Sequence, residues 1–262
     1  MSSSIPVVLH GAAGRMGQAI LRVLDERADL TPVAALVRAD SARVGQPVYP
    51  FSERTLRYAG TLAPDLAASV LIDFSVADAF DHGLALALER KLPFVSGTTG
   101  LDARQRAALE RAAASIPTLW AANFSLGVAV LAKLVAAAAR AVPEWDCEIA
   151  EAHHAGKHDA PSGTGLMLGR EVAAARGQDF DAVARYSHAG NARARGTIGF
   201  ASTRAADIVG EHTVMFATAG ERIELVHRAT DRMIFARGAV AAARWIAGRP
   251  AGRYSLEDVI FS

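Results

Sequence analysis

The sequence predicts an α/β protein with a Rossmann-like, doubly wound parallel sheet and a second α+β domain with a mostly antiparallel sheet. Short apolar runs alternate with helical patterns through the first half of the chain, as expected when helices join parallel strands. A glycine-rich turn begins at Gly11, directly after the first apolar run. After Asn123 the pattern changes to strand-like runs with little helix between them, which is typical of antiparallel sheets.

The elements of the first half follow from β-branched apolar runs and from apolar residues at helical spacing. Strands are expected at residues 5–9, 33–37, 70–74, 94–96 and 118–121, and helices after Gly17, at 77–90 and at 102–115. Residues 38–66 are rich in Arg, Ser, Gly and Pro, so we expect loops there, with room for one short strand.

The second half is divided by the same patterns. Helices are expected at 126–141, 162–176 and 232–247, strands at 147–152, 197–204, 213–218 and 222–227, and a long loop at 177–195. The last helix should return to the first sheet, because such a sheet needs helices on both faces. We therefore expect domain boundaries that separate residues 1–124, 125–232 and 233–262.

Composition limits the class of protein. The 262 residues are 51% hydrophobic and 21% charged, which indicates a globular protein. A formal net charge of +1 argues against a polyanion-binding surface, so we expect no nucleic-acid partner. The single cysteine, Cys147, excludes an intrachain disulfide and is expected to be buried. The apolar run at 126–142 is interrupted by Lys133 and Arg140, and no signal-peptide pattern is visible, so we expect a cytoplasmic protein without membrane contact.

Gly11, Gly14 and Gly17 form the glycine-rich turn between the first strand and its helix. Small residues there let backbone N–H groups approach a pyrophosphate, and the helix N-terminus favours negative charge. The middle glycine of the usual G-x-G-x-x-G pattern is replaced by Ala12 or Ala13. The turn predicts dinucleotide binding, with an ordinary strand-to-helix turn as the alternative.

The end of the second strand indicates which dinucleotide is bound. Proteins that prefer NAD place an acidic residue there to accept from the ribose 2′-OH. This chain has Val37, which accepts nothing, and then Arg38, which could clamp a 2′-phosphate. We therefore predict NADPH as the preferred cofactor. The alternative is that Asp40 accepts the 2′-OH and NADH serves as well.

Two further strand ends carry small polar residues. Residues 96–100 (SGTTG) and 121–124 (AANF) each follow an expected strand. Because open α/β sheets bind ligands at the carboxyl ends of their strands, these residues are predicted to contact the nicotinamide or the substrate. Ordinary turns are the alternative for both.

The polar run at 151–164 holds three histidines, a lysine and two carboxylates. His153 can transfer a proton near neutral pH, and Lys157 can neutralise a carboxylate. Zinc is a competing reading because three histidines and Asp159 lie close in sequence. The run has no H-E-x-x-H pattern, however, and Lys157 would repel a cation, so we expect no metal. A solvated polar loop remains a third interpretation.

Ser162 ends this run as the expected N-cap of a helix. The backbone N–H groups at the start of this helix would suit a substrate carboxylate. A lysine and a helix N-terminus close together predict a small acidic ligand.

Six stretches, in order along nearly the whole chain, resemble the 4-hydroxy-tetrahydrodipicolinate reductase family of the bacterial and plant lysine pathway. They are GAAGRMG at 11–17, IDFS at 72–75, SGTTG at 96–100, NFS at 123–125, EAHHAGKHDAPSGT at 151–164 and DIVGEHT at 207–213. The run at 151–164 is highly specific.

The resemblance implies an NAD(P)H-dependent reductase that acts on a small cyclic dicarboxylate in diaminopimelate and lysine biosynthesis. It implies that residues 1–124 bind the cofactor, that 125–232 bind substrate and form oligomers, and that 233–262 return to the first domain. A homotetramer built through the second-domain sheets is expected. The rivals are a different NADPH-dependent oxidoreductase acting on a small acidic substrate and an NADPH-binding sensor without turnover.

The resemblance also implies roles for individual residues. His153 would be the proton donor and acceptor, and Lys157 a proton donor that also pairs with substrate charge. The substrate carboxylates would be bound by His154, Gly163 and Thr164. The cofactor contacts would be Gly11, Ala12, Ala13, Gly14, Arg15, Met16, Arg38, Gly97, Thr98, Thr99, Ala121, Ala122, Asn123 and Phe124. The family's acidic ribose contact falls at Val37, which puts NADH use in doubt.

Overall fold

The computed structural model describes residues 4–50, 55–188, 190 and 192–262. The chain divides into two compact units. Unit 1 comprises Met1–Leu126 and Met233–Ser262, and unit 2 comprises Gly127–Arg232. In the described ranges, no helix is both long and apolar enough to cross a membrane.

Unit 1 is built on a seven-stranded sheet in which every strand pair is parallel. Its strands are β1 Ile5–His10, β2 Leu30–Leu36, β3 Tyr58–Ala59, β4 Val70–Asp73, β5 Phe94–Ser96, β6 Pro117–Trp120 and β12 Gly252–Tyr254. The spatial order β12-β6-β5-β4-β1-β2-β3 confirms the predicted doubly wound sheet. The order reverses beside β1, which is where such sheets bind ligands.

Helices cover this sheet on both faces. They are α1 Arg15–Asp25, α2 Ala77–Glu89, α3 Ala103–Ala112, α7 Met233–Ile246 and α8 Leu256–Phe261. On one face α2 and α3 bury an apolar cluster that includes Phe80, Phe94 and Leu109. On the other face α7 contacts α1 and the strands β4 to β6. The short elements β12 and α8 were not predicted, because a three-residue strand has too little periodicity to detect.

Unit 2 contains the five-stranded sheet β11-β10-β7-β9-β8. Its elements are α4 Leu126–Ala141, β7 Asp146–His153, α5 Gly163–Ala175, α6 Phe180–Val183, β8 Ala184–Arg185, β9 Ile198–Arg204, β10 Gly210–Thr218 and β11 Glu221–Ala229. The predicted loop at 177–195 therefore includes a one-turn helix and a two-residue strand. Phe180 anchors that helix by packing edge-to-face on Phe200.

The sheet of unit 2 is mixed, with the predicted antiparallel pairs at β10 and parallel pairs at β9 that were not expected. The strand β10 is antiparallel to both β7 and β11, whereas β9 is parallel to β7 and β8. The helix α5 lies in the connection from β7 to β9, and a helical crossover brings the next strand back in the same direction. The order of helices and strands along the sequence does not show which strands become neighbours in the sheet.

One face of this sheet forms the core of unit 2 with α4 and α5. Cys147 and Ile149 of β7, and Val214 and Phe216 of β10, are buried on it. The prediction that Cys147 is buried is confirmed, and burial raises the pKa of its thiol to about 12. Cys147 is therefore a neutral packing residue at neutral pH.

Candidate active site

The carboxyl ends of β1, β2, β4 and β5 surround a cavity of about 760 Å³ in unit 1. It is lined by His10, Gly11, Ala13, Gly14, Arg15, Met16, Val37, Arg38, Ser41, Phe74, Ser75, Val76, Ala79, Gly97 and Thr99. Eight of the predicted cofactor residues are therefore brought together here. A cavity of this size, at the switch point of the sheet, suits an elongated dinucleotide.

Two glycines shape this cavity by letting backbone and ring atoms approach closely. Gly11 has φ +80°, and a Cβ there would lie 2.5 Å from the Phe74 carbonyl oxygen. A Cβ at Gly97 would lie 2.2 Å from Cε1 of the Phe74 ring. Any larger residue would push the β4 end away from its neighbours.

The start of α1 fits a phosphate group. Gly14 is its N-cap, and among the described residues no side chain caps it or places an acid in its first turn. The first-turn N–H groups of Arg15 and Met16 are thus left for an anion, and the helix dipole favours one. The residues present fit a dinucleotide pyrophosphate.

The other predicted cofactor residues lie elsewhere in unit 1. Ala12 and Thr98 are buried, and the four residues 121–124 are not among the described residues that line this cavity. Phe124 is buried with its ring centroid 5.2 Å from that of Phe74. It therefore packs against a residue that lines the cavity.

A buried His10–Asp73 pair lies at the β1 and β4 ends, and sequence reasoning missed it. Asp73 accepts hydrogen bonds from His10 Nδ1, Ser96 Oγ and Thr98 Oγ1, each at 2.8 Å. Burial alone would raise the pKa of Asp73, but hydrogen bonds, led by the one from His10, lower it. The ionised carboxylate thus joins three strand ends. The sequence signal that could have revealed this pair is Asp73 itself, an aspartate at the end of an otherwise apolar strand.

The predicted cofactor-specificity residues lie at the end of β2. Val37 and Arg38 both line the cavity. The Arg38 side chain is 79% exposed and donates to both carboxylate oxygens of Asp40, at 3.0 and 3.2 Å. If the exposed Arg38 guanidinium breaks its ion pair with Asp40, it can bind a phosphate group.

In unit 2, a polar cluster continues the buried face of the sheet. Side chains alternate along a strand, so residues 151 and 153 follow Cys147 and Ile149 on the same face of β7. Arg204 on β9 and His212 on β10 occupy the same end of that face. The packing face therefore changes from apolar to ionisable at the carboxyl end of β7.

Glu151 is the centre of this cluster and is only 3% exposed. Its Oε2 accepts from His153 Nδ1 at 2.5 Å, and its two oxygens accept from Arg204 at 2.9 and 2.7 Å. Burial favours the neutral acid, but hydrogen bonds led by Arg204 lower the pKa of Glu151 to about 2. The carboxylate is ionised at neutral pH.

His212 packs beside His153, with ring centroids 5.2 Å apart and planes at 75°. Its Nε2 lies 3.2 Å from Ser162 Oγ. Burial, together with the adjacent His153, lowers the pKa of His212 to about 4. His212 is therefore neutral at neutral pH.

The helix α5 begins beside this cluster. Ser162 is its N-cap, and Ser162 Oγ accepts from Gly165 N at 3.1 Å, as predicted for a serine in this position. Gly163 is exposed, and a Cβ built on it would meet nothing within 4 Å. Gly163 and Thr164 therefore present the first turn of a 13-residue helix where an anion can approach.

Lys157 and His154 lie in the loop between β7 and α5. Lys157 Nζ donates to both carboxylate oxygens of Asp159, at 2.7 and 2.9 Å. Partial desolvation lowers the pKa of His154, and the neighbouring Arg232, His153 and Lys157 act in the same direction. An anionic ligand would find several cationic groups here. His158 is exposed.

Glu151, Arg204 and His212 are the members of this cluster to which sequence reasoning assigned no role. The first and last stand in the stretches 151–164 and 207–213, which already carried the resemblance. The usable signal was the period of two along each strand, which places ionisable residues on an otherwise apolar face. In the described part of the chain, no three His, Cys, Asp or Glu side chains form a group that could hold a metal ion.

Comparisons with known proteins cover nearly the whole chain. The family model described as "Dihydrodipicolinate reductase, N-terminus" matches residues 5–124, and the model described as "Dihydrodipicolinate reductase, C-terminus" matches residues 127–260. Both halves are therefore similar to the same family.

Among curated relatives, the chain is 50% identical over 262 residues to 4-hydroxy-tetrahydrodipicolinate reductase of Xanthomonas euvesicatoria pv. vesicatoria, covering 99% of each chain. It is 51% identical over 258 residues to the enzyme of that name from Stenotrophomonas maltophilia, covering 97% of each. The Xylella fastidiosa enzyme is 46% identical over 260 residues, with 99% of this chain and 100% of that one covered.

Among solved structures, the chain resembles dipicolinate-bound dihydrodipicolinate reductase from Paenisporosarcina sp. TG-14. The TM-score is 0.79 at 22% identity, with 98% of this chain and 100% of that chain covered. Aspartate semialdehyde dehydrogenase II from Vibrio cholerae matches with a TM-score of 0.52 at 13% identity, covering 91% and 96%. These identities support a shared fold.

Proposed function

The chain belongs to the dihydrodipicolinate reductase family, and we propose that it reduces 4-hydroxy-tetrahydrodipicolinate to tetrahydrodipicolinate with NAD(P)H. This reaction belongs to diaminopimelate and lysine biosynthesis, and we expect the enzyme in the cytoplasm. The observation that carries the proposal is the union, in unit 2, of an acid/base histidine with an anion-binding helix start. His153 and Ser162 are both hydrogen-bonded to Glu151.

The cofactor would lie in the cavity of unit 1, with its pyrophosphate at the start of α1. When bound, the reduced nicotinamide supplies a hydride to the unsaturated substrate ring. The glycines at 11 and 14 provide the close backbone approach, and Arg38 would hold a 2′-phosphate. We therefore propose NADPH as the preferred cofactor, with NADH as an alternative donor.

The dicarboxylate substrate would be held in unit 2. Its carboxylates would accept from the first-turn N–H groups at Gly163 and Thr164 and from His154, and Lys157 would pair with its charge. His153 or Lys157 would give a proton to the ring carbon next to the one that receives the hydride. Because the product lacks the 4-hydroxyl group, one water leaves, and hydride, proton and water balance the reaction.

The test follows NADPH absorbance with freshly generated substrate. We expect turnover by the wild-type chain and a fall in kcat of about 10²- to 10⁴-fold in His153→Ala and Lys157→Ala, the range of general acid–base catalysis. Cofactor affinity should change little in both. The exposed His158→Ala is the matched control and should keep wild-type turnover.

Two results would oppose this proposal. Near-full turnover by His153→Ala or Lys157→Ala would remove that residue from proton transfer. No NADPH oxidation by the wild-type chain, with NADPH binding intact, would instead favour a sensor without turnover.

We also propose a homotetramer formed through the sheet of unit 2. Ala201, Ala150, Thr213 and Val226 are paired across β9, β7, β10 and β11 and so share the face opposite the core. All four are exposed or half-buried, and Val226 is 40% exposed. A row of small and apolar side chains on an open sheet face supports contact between copies.

A further inference from the structure

We propose that Glu151 is a positioning residue for His153. It holds the imidazole through Nδ1, so that Nε2 is the atom that exchanges the proton, and the same carboxylate holds the start of α5. The inference rests on the proposed function of His153 and adds a role for a residue that does not itself touch the substrate.

The hydrogen bonds of Glu151 define the imidazole tautomer. Glu151 Oε2 accepts from His153 Nδ1 and Arg204 Nη1, while Oε1 accepts from Ser162 N at 3.2 Å and from Arg204 Nη2. An ionised carboxylate can only accept hydrogen bonds, so His153 Nδ1 must carry a proton. In the neutral ring Nε2 then holds the lone pair, and it gains the transferable proton when the ring is charged.

The space beside Nε2 is kept open by Gly210 on β10. A Cβ at that position would lie 3.1 Å from His153 Nε2 and 3.4 Å from Cδ2. The His153 side chain is 12% exposed, so the ring is fixed at one nitrogen while some of its surface stays accessible. The His153 side chain, at the end of the buried face, is thus held in one orientation and remains partly accessible to a ligand.

The charges around His153 indicate that Glu151 orients the ring rather than stabilising a positive charge on it. Arg204 on β9 already neutralises the carboxylate, and it also donates to the Asp159 carbonyl oxygen. His212 faces the ring from β10 and is neutral at neutral pH. His154, Lys157 and Asp159 are further titratable groups in the adjoining loop, and Lys157 is paired with Asp159.

This bonding pattern makes Glu151→Gln an informative variant. A glutamine replaces one acceptor oxygen by an NH₂ donor, and Arg204 donates to both oxygen positions. If the NH₂ faces His153, the ring must take the opposite tautomer, with its proton on Nε2. If the NH₂ faces Ser162 N, it opposes the donors of both Ser162 and Arg204, neither of which can change its role. We therefore expect the first orientation, in which the change of tautomer at His153 removes one of the two conflicts.

The experiment compares wild type, Glu151→Gln and Glu148→Gln as full-length chains. It measures kcat, KM for NADPH, and the ¹⁵N shifts of the His153 ring at a pH where the ring is neutral. We expect Glu151→Gln to lose roughly 10²- to 10⁴-fold in kcat, the range of general acid–base catalysis, with KM for NADPH within about twofold. The ¹⁵N spectrum should show the proton moved from Nδ1 to Nε2.

Glu148→Gln is the matched control because Glu148 lies on the same strand, on the opposite face, and also pairs with an arginine. Arg193 Nε donates to Glu148 Oε1 at 3.0 Å. This variant should keep the wild-type kcat and tautomer. Gly210→Ala is a second variant, for the case that Glu151→Gln does not fold. Its methyl group would lie beside Nε2, so we expect a lower kcat with the Nδ1–H tautomer retained.

Several outcomes would overturn the positioning role. Wild-type kcat in Glu151→Gln would do so, and so would a loss of kcat with the Nδ1–H tautomer unchanged, which a purely structural role predicts. Wild-type kcat in Gly210→Ala would exclude Nε2 as the exchanging atom. If the wild-type chain lacked reductase activity, the proposed function would be wrong, while the tautomer comparison would still decide whether Glu151 orients the ring.

Discussion

His212 shows how one buried residue couples protonation to stability. It is 4% exposed, and its pKa is lowered from 6.5 to about 4 by burial and by the adjacent His153. The unfolded chain therefore binds a proton near pH 6.5, whereas the folded chain does not until about pH 4. Its contribution to stability is complete above pH 6.5 and is lost as the pH falls to 4.

We expect the free energy of unfolding to fall by about 3 kcal/mol more in wild type than in His212→Gln between pH 7.5 and pH 4. Urea denaturation at several pH values measures this difference. The exposed His158→Gln should follow the wild-type curve. Parallel curves for wild type and His212→Gln would show that His212 takes up its proton equally in both states.

Arg38 is the residue that we propose selects the cofactor, at the same scale. The 2′-phosphate of NADPH would replace Asp40 as its partner, and a charge-assisted hydrogen bond contributes more than a neutral one. Arg38→Ala should lower kcat/KM for NADPH by roughly 10-fold or more and leave kcat/KM for NADH nearly unchanged.

Asp40→Ala tests the alternative for cofactor preference, because it removes the only acceptor proposed for a ribose 2′-OH. If Asp40 reads the 2′-OH, this variant should lose NADH activity and Arg38→Ala should not discriminate between the cofactors. A clear preference of the wild-type chain for NADH would contradict our assignment of Arg38.

At the scale of elements, α5 packs in the core of unit 2, and we propose that its first turn binds the substrate. Its N-cap Ser162 is buried, and Ser162 contacts Gly165 N, His212 Nε2 and Glu151 Oε1 through its hydroxyl and backbone groups. The first turn that follows holds Gly163 and Thr164. Loss of the cap should therefore affect both stability and the anion site.

Ser162→Ala should lower stability by about 1 to 2 kcal/mol and raise KM for the dicarboxylate substrate. Asp102→Ala is the matched control, since Asp102 caps α3 with a complete capping box in unit 1. It should cost similar stability without changing that KM. If the two variants had the same kinetics, the start of α5 would not bind the substrate.

At the scale of the whole molecule, the sheet of unit 2 has one face buried by α4 and α5 and another that remains open. Charge on the open face should oppose assembly, because carboxylates would be desolvated between copies. Light scattering after size exclusion should give four chains for wild type and fewer for Val226→Asp. Leu134→Asp adds the same charge at a 51% exposed site on α4 and should remain tetrameric. A monomeric wild type would reject the homotetramer.

Most elements could be predicted from the sequence, because their signals are local. The helix α4 begins and ends at the predicted residues, and Asp102 and Ser162 cap the helices that they were expected to begin. The glycine-rich turn after β1 follows from backbone geometry that only small residues permit. The family resemblance had the same origin, in motifs that each occupy one short stretch.

Only the tertiary structure decided which of these stretches meet. Glu151 and Arg204 are 53 residues apart, and Ser162 and His212 are 50 apart, yet they form one cluster. Strand periodicity predicts which face a residue occupies but not which strand lies beside it, so the parallel β7–β9 pair was missed. The sequence alone determined the fold class, the glycine-rich turn and the polar run at 151–164. The burial and hydrogen bonds that hold His153 depend on strand neighbours, because these bring distant charges within hydrogen-bonding distance.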